Sequence, residues 1–149
     1  MTVPLKAYRS VPAEPLAGKV VIDTNNYPNR DGQFPELDSG SVTSSELLQQ
    51  RLPKALVVKC LNTIAFRHRP ALARPAGDDA QAKAAVVALL DAIGYDAVDA
   101  GSLAEGRRFQ PGTPLYGAIY AGGDPDFYNL PPVPAGADLI RRALATADR

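Results

Sequence analysis

The chain has 149 residues, enough for one domain with a real core. Sixteen basic residues balance sixteen acidic ones, so no overall field selects nucleic acid or an anionic membrane, and no apolar run approaches the roughly 20 residues of a membrane span. A single cysteine, Cys60, excludes an internal disulfide and, with no signal-peptide core in residues 1–10, implies a reducing, cytoplasmic setting.

Taken in order, the chain opens with Val3-Pro4-Leu5, which reads as the end of a strand, and Gly18 then turns it into Lys19-Val20-Val21-Ile22-Asp23. Three consecutive β-branched residues suit a strand covered on both faces, as in a parallel sheet. It stops abruptly in Thr24, Asn25, Asn26 and Tyr27. Ligands of open parallel sheets sit at the carboxyl ends of strands, so these polar residues are the first candidates for chemistry. The run on to Pro35, centred on Asp31-Gly32, is turn chemistry in a long loop. Thr43-Ser44-Ser45-Glu46 fits a capping box and predicts a helix with Leu47, Leu48 and Leu52 on one side, ended by Pro53. Residues 55–61 form the next strand and end in Asn62-Thr63.

Gly77-Asp78-Asp79 introduces the longest helix signal, in which Ala82, Val86, Leu89 and Ile93 form one core-facing stripe and Gly94 supplies the left-handed residue past the end. Residues 95–100 are a third strand candidate. The turn Gly101, Ser102, Leu103 follows at once, with Ser102 and Glu105 making a second capping box whose amides can hold an anion. Residues 110–149 read as an irregular tail rich in Gly, Pro and Tyr with a terminal helix over 137–147.

Strand, helix, strand, helix, strand, helix with short connections predicts an α/β fold with a parallel, Rossmann-like sheet in one domain spanning 1–149. Right-handed crossovers would bring Val3, Pro4, Thr24, Asn25, Asn26, Asn62, Thr63 and Gly101, Ser102, Leu103 to one rim. Such a site is polar and mostly uncharged, suited to amide, hydroxyl or ring recognition, and it names no catalytic acid, base or nucleophile. Each feature also has a plainer reading. Thr24, Asn25 and Asn26 suit a strand-ending turn, Asp78-Asp79 a helix N-cap, Arg67-His68-Arg69 a solvated loop, and Cys60 a small core residue. Tyr116, Tyr120, Phe127 and Tyr128 suit either stacking on a flat ring or docking the tail on the core. One histidine, His68, cannot build a histidine-based metal cluster, and no metal site is expected.

Four segments in order, residues 16–26, 57–64, 77–83 and 94–105, resemble NADP-dependent oxidoreductases related to the coenzyme F420-dependent NADP reductases. The resemblance covers roughly residues 3–117. It implies a Rossmann domain holding NADP(H) and passing a hydride to a deazaflavin such as coenzyme F420 or to a similar acceptor. Val3, Pro4, Thr24, Asn25 and Asn26 would bind the cofactor at its nicotinamide end; Asn62, Thr63, Gly101, Ser102 and Leu103 would shape the acceptor's side. Two departures accompany it. No G-x-G-x-x-G turn occurs, Gly117 to Gly123 lacking its spacing, so the pyrophosphate cradle and the N-terminal strands of the sheet are missing from this sequence. Where the family has an apolar strand before Gly77, Pro70 and Pro75 flank a stretch too broken for an interior strand. The expectation is therefore a truncated oxidoreductase that self-associates or is completed by a chain supplying the missing half, or else a non-catalytic remnant acting as a binding or structural module.

Overall fold

A computed structural model describes residues 1–27, 32–64, 73–131, 133 and 135–147 of the chain. The fold is mixed α/β: a three-stranded open sheet, ordered β1 (Val20–Asp23), β2 (Leu56–Lys59), β3 (Ala76–Gly77), with helices on both sides. β1 and β2 run parallel, with Val21 opposite Val57 and Asp23 opposite Lys59. Strand alternation sends Val21 and Val57 to one face, against Leu48, Leu52 and Leu103, and Ile22 and Val58 to the other, against Ala82, Val86 and Leu90. Burial on both faces is the reason the strands read as uninterrupted apolar runs.

The helices are α1 (Pro35–Asp38), α2 (Ser44–Arg51), α3 (Ala80–Ala92) and α4 (Ala137–Thr146). The capping box of α2 is formed as expected: Glu46 N–H donates to Thr43 Oγ1 at 3.2 Å and Thr43 N–H to the Glu46 carboxylate at 2.7 Å. Leu48 and Leu52, at the end of α2, are fully buried, each contributing about 1.5–3 kcal/mol of apolar burial. α3 begins at Asp79, whose carboxylate accepts from Ala82 N–H at 2.7 Å. Its buried stripe is Ala82, Val86 and Leu90, whereas Leu89 and Ile93 are 48% and 53% exposed. The expected stripe ran off that line after Val86, because the sheet residues Val58 and Cys60 are met by the i, i+4, i+8 row.

Three strand expectations are corrected. Val3-Pro4-Leu5 does not form a strand: Pro4 stands before a 3₁₀ helix, Leu5–Ser10, where a residue without an N–H costs nothing. Met1 instead pairs with β1, its amino group bonding the Ile22 carbonyl and its own carbonyl accepting from Thr24 N–H at 3.1 Å. The segment before Gly77 does supply an interior strand. β3 pairs antiparallel with β2, Lys59 facing Ala76, and is bridged on its other side to residues 97–101. Gly77 permits that close approach, since a Cβ there would lie 3.2 Å from the Val57 carbonyl oxygen and 3.2 Å from Val58 Cγ2. Residues 95–100 form isolated parallel bridges, Ala73 to Ala97 and Ala76 to Gly101, rather than a continuous strand. Pro75, which has no N–H to donate, interrupts that ladder. The sheet is thus mixed, and its last segment runs against β1 and β2.

The tail carries a 3₁₀ turn, Ala118–Ala121, and closes through Ile140 and Leu144 of α4 on a cluster containing Phe109, Leu115 and Tyr120. Arg67, His68, Arg69, Pro70 and Asp31 lie outside the described residues. Among the described residues no helix is long and apolar enough to cross a membrane.

Candidate functional site

The carboxyl ends of β1 and β2 share a buried ionic cluster. Asp23 and Lys59 are direct neighbours across the parallel pair, 1% and 0% exposed, with Lys59 Nζ 3.7 Å from Asp23 Oδ2. The carboxylate also accepts from Ser45 Oγ at 2.6 Å and from Asn25 N–H at 3.0 Å. Lys59 Nζ donates to the Asn25 carbonyl at 2.7 Å and to Ser44 Oγ at 3.4 Å. Burial pushes the Lys59 ammonium below its ordinary value of 10.5, and the charge of Asp23 opposes that shift. Gly106 makes room for the lysine, a Cβ there falling 3.1 Å from Lys59 Cδ. Charge of both signs is therefore spent on fixing the backbone of the loop that follows β1 and on tying it to the start of α2.

Above this cluster two asparagines interlock. Asn26 Nδ2 donates to the Asn62 carbonyl at 2.9 Å, and Asn62 Nδ2 donates to Asn26 Oδ1 and to the Phe109 carbonyl, each at 3.0 Å. Tyr116 Oη lies 3.4 Å from Asn26 Nδ2 and 3.4 Å from Tyr128 Oη. Burial and the Tyr128 hydroxyl push the Tyr116 phenol above its usual range, so it works as a neutral donor and acceptor. Thr24 Oγ1 bonds the Met1 carbonyl and Thr2 Oγ1, both at 3.1 Å.

The other half of the asparagine turn is held from beneath by Arg74, 3% exposed, whose guanidinium bonds Thr63 Oγ1 and donates to the Leu115 carbonyl at 2.8 Å. It also lies 5.3 Å from the Tyr120 ring centroid and 5.9 Å from that of Phe109. Its Nε and Nη1 have no hydrogen-bond partner among the described residues. Neighbouring Cys60 is inert, its thiol pushed up to about 11 by burial.

Of the sequence-predicted residues, Asn25, Asn26, Asn62 and Thr63 do come together, and Thr24 joins them at the edge. Val3 packs beneath, against the cluster of Val11, Val21 and Leu48, and Pro4 leads into the first 3₁₀ helix. Gly101 lies level with the carboxyl end of β2, but residues 97–101 run antiparallel to β1 and β2, so the chain leads from there down to Leu103, which is buried against Val21 and Val57. Gly101 is bridged to Ala76, which itself faces Lys59 within β2. The second capping box is also absent: Ser102 makes no side-chain cap, a 3₁₀ helix Leu103–Phe109 follows, and Glu105 pairs with Arg108 at 2.9 Å. The amides expected to take an anion already hold carboxylates of this chain, Leu103 N–H on Asp78 at 3.0 Å and Gly101 N–H on Asp99 at 2.8 Å.

Sequence reasoning passed over Asp23, Lys59, Arg74 and Tyr116 as partners in one assembly. The available signal was Lys59 itself, a charge inside an apolar strand, which is seldom buried without a partner. Arg74, between two prolines, carried no comparable signal. Among the described residues no cluster of His, Cys, Asp and Glu is arranged to hold a metal ion. A groove of about 530 Å³ runs along α3 away from these residues, lined by Lys83, Ala84, Val87, Ala88 and Asp99. What the rim offers chemically is uncharged hydroxyl and amide groups beside an aromatic surface, held rigidly from below.

No family model and no curated protein sequence matches this chain. Solved structures do. A protein from Arthrobacter sp. FB24 proposed to be an F420-dependent NADP reductase matches with a TM-score of 0.52 and 34% identity, over 64% of this chain and 48% of its own. The hypothetical protein SMa0349 from Sinorhizobium meliloti matches with a TM-score of 0.58 and 26% identity, over 75% of this chain and 58% of its own. The chain thus spans about half the length of these neighbours, and it shares their Rossmann-like fold.

Proposed function

We propose that residues 1–149 form one domain carrying the nicotinamide side of an NADP(H)-dependent oxidoreductase, which passes a hydride between the nicotinamide ring and a deazaflavin such as coenzyme F420 or a similar acceptor. The observation that carries this reading is the 34% identity, within a common fold, to the Arthrobacter protein whose proposed role is F420-dependent NADP reduction. The rim chemistry supports it. A carboxamide needs neutral groups that give and take hydrogen bonds, and the hydroxyls of Thr24 and Tyr116 do both. Val3, Pro4, Thr24, Asn25 and Asn26 are assigned to the nicotinamide end, and Asn62 and Thr63 to the acceptor's side. The cofactor supplies the hydride chemistry when bound; the protein's work is to position rings and exclude water, which agrees with a rim lacking an exposed acid and base pair. Lys59 and Arg74 are buried under the rim and out of reach of a bound phosphate, so neither is assigned to a phosphate grip.

A second reading rests on a specific observation. Asn26, Asn62 and Thr63 spend their side chains on one another, on Phe109 and on Arg74, which is also what a non-catalytic binding or structural module would do. Thermal melting with NADPH separates the two. Oxidoreductase function predicts a melting temperature that rises with NADPH through the micromolar to millimolar range; a melting curve indifferent to the cofactor would leave the module reading.

Self-association belongs to the proposal. Beyond its single pairing with Met1, the outer edge of β1 has Val20 at 40% exposure, an edge suited to pairing with a second copy. Light scattering should return a mass above 15.8 kDa for the chain in solution. A clean monomer would remove this part.

A further inference from the structure

We infer that the tail builds a stacking shelf for a planar heteroaromatic ring, from Tyr116, Phe127 and Tyr128. The inference deepens the hydride-transfer reading and rests on it, by giving the acceptor ring a place beside the asparagine turn. The shelf is a continuous aromatic assembly. Phe127 and Tyr128 have ring centroids 4.2 Å apart at 37°, and Tyr116 meets Phe127 edge-on at 5.9 Å. Tyr128 keeps 51% of its surface exposed, the largest exposure of any described aromatic, while Phe127 and Tyr116 beside it are half-buried. An aromatic face left open beside a polar rim suits a flat ring with hydrogen-bonding edges.

The polar edge is present too. The hydroxyls of Tyr116 and Tyr128 are 3.4 Å apart, that of Tyr116 is also 3.4 Å from Asn26 Nδ2, and each can give or take a hydrogen bond at the margin of a ring lying on Tyr128. The shelf is held stiffly. Gly117 N–H donates to the Thr63 carbonyl at 3.1 Å, and Arg74 donates to the Leu115 carbonyl at 2.8 Å, so one flank of Tyr116 is tied to Thr63 and the other to buried Arg74. Phe127 packs directly on Gly117, where φ is +56° and a Cβ would fall 2.3 Å from the ring, so glycine is the residue that lets Phe127 lie this close. A surface fixed this way loses little freedom when a ring settles on it. Chemistry narrows the ligand to a neutral or electron-poor fused ring with carbonyl and N–H groups at its edge, the class to which flavins and deazaflavins belong.

The test uses the whole 149-residue chain and riboflavin, a ring without a phosphate, so that stacking is read apart from charge. A tyrosine stacked on an isoalloxazine quenches its emission; the chain contains no tryptophan to confuse the reading. Saturable quenching is expected, weakened about tenfold in Tyr128→Ala and only a fewfold in Tyr128→Phe, with melting unchanged in both because the side chain is half exposed. Quenching that is absent, or as strong in Tyr128→Ala as in the parent, overturns the shelf. NADPH melting is read in parallel: protection by NADPH without riboflavin quenching overturns the shelf alone, whereas quenching lost with Tyr128 but no NADPH protection supports the shelf and overturns the hydride reading.

Discussion

Replacing Asp23 by leucine is expected to destabilise the fold by about 3–5 kcal/mol, because it leaves Lys59 charged, buried and without its counter-ion. The lysine cannot move to water: it is 0% exposed, with its stem against Gly106 and its ammonium enclosed by Asn25 and Ser44. Lys59→Met is expected to cost less, since Asp23 keeps donors in Ser45 Oγ and Asn25 N–H. The double variant should cost clearly less than the sum of the two singles, the signature of a coupled pair; strictly additive urea-denaturation energies would contradict the coupling. The pair also has a pH signature. Burial holds the Lys59 ammonium below its ordinary 10.5 in the folded protein. Between that depressed value and 10.5 the unfolded chain therefore binds more protons, and the contribution of Lys59 to stability rises with pH across this interval. Measured against Lys59→Met, the parent should gain stability on the alkaline side; parallel pH profiles would count against the assignment.

The second large effect is expected at the asparagine turn. Asn62→Ala removes both donors of one amide and strands Asn26 Oδ1 and the Phe109 carbonyl, a loss of about 2–6 kcal/mol at roughly 1–3 kcal/mol for each buried group left unsatisfied. Because Asn62 joins the end of β1 to the tail, the change should also loosen the tail, seen as faster amide exchange at Gly117 and Tyr120, whose N–H groups bond the Thr63 and Gly117 carbonyls. A loss below about 0.5 kcal/mol with tail exchange unchanged would mean that water replaces the amide and that the turn does not hold the tail.

These two sites mark what the sequence could and could not reveal. The uninterrupted Val20-Val21-Ile22 and Leu56-Val57-Val58 runs disclosed a parallel pair buried on both faces, because two-sided burial leaves no room for alternation. Thr43 and Glu46 disclosed the start of α2 because a capping box is a local reciprocal bond. The direction of β3 was not legible. A two-residue strand bounded by Pro75 carries no periodicity, and antiparallel pairing there leaves Gly101 level with Lys59 while the chain beyond it descends to bury Leu103 against Val21 and Val57. The meeting of Asn26 and Asn62 was legible, since they follow the two parallel strands. Their use was not legible, because whether an amide faces a ligand or another amide depends on contacts between residues 36 positions apart. Tyr116, 90 positions from Asn26, was recognisable only as part of an aromatic tail.

The central proposal is that the residues following β1, Thr24, Asn25 and Asn26, hold the nicotinamide end of NADP(H). Calorimetric titration of the chain with two halves of the cofactor tests it most directly. Reduced nicotinamide mononucleotide should bind, bind less well after Thr24→Val, and bind better than 2′-phospho-ADP-ribose. Binding of the phosphoadenosine half alone, or of neither half at millimolar concentration, would contradict the account.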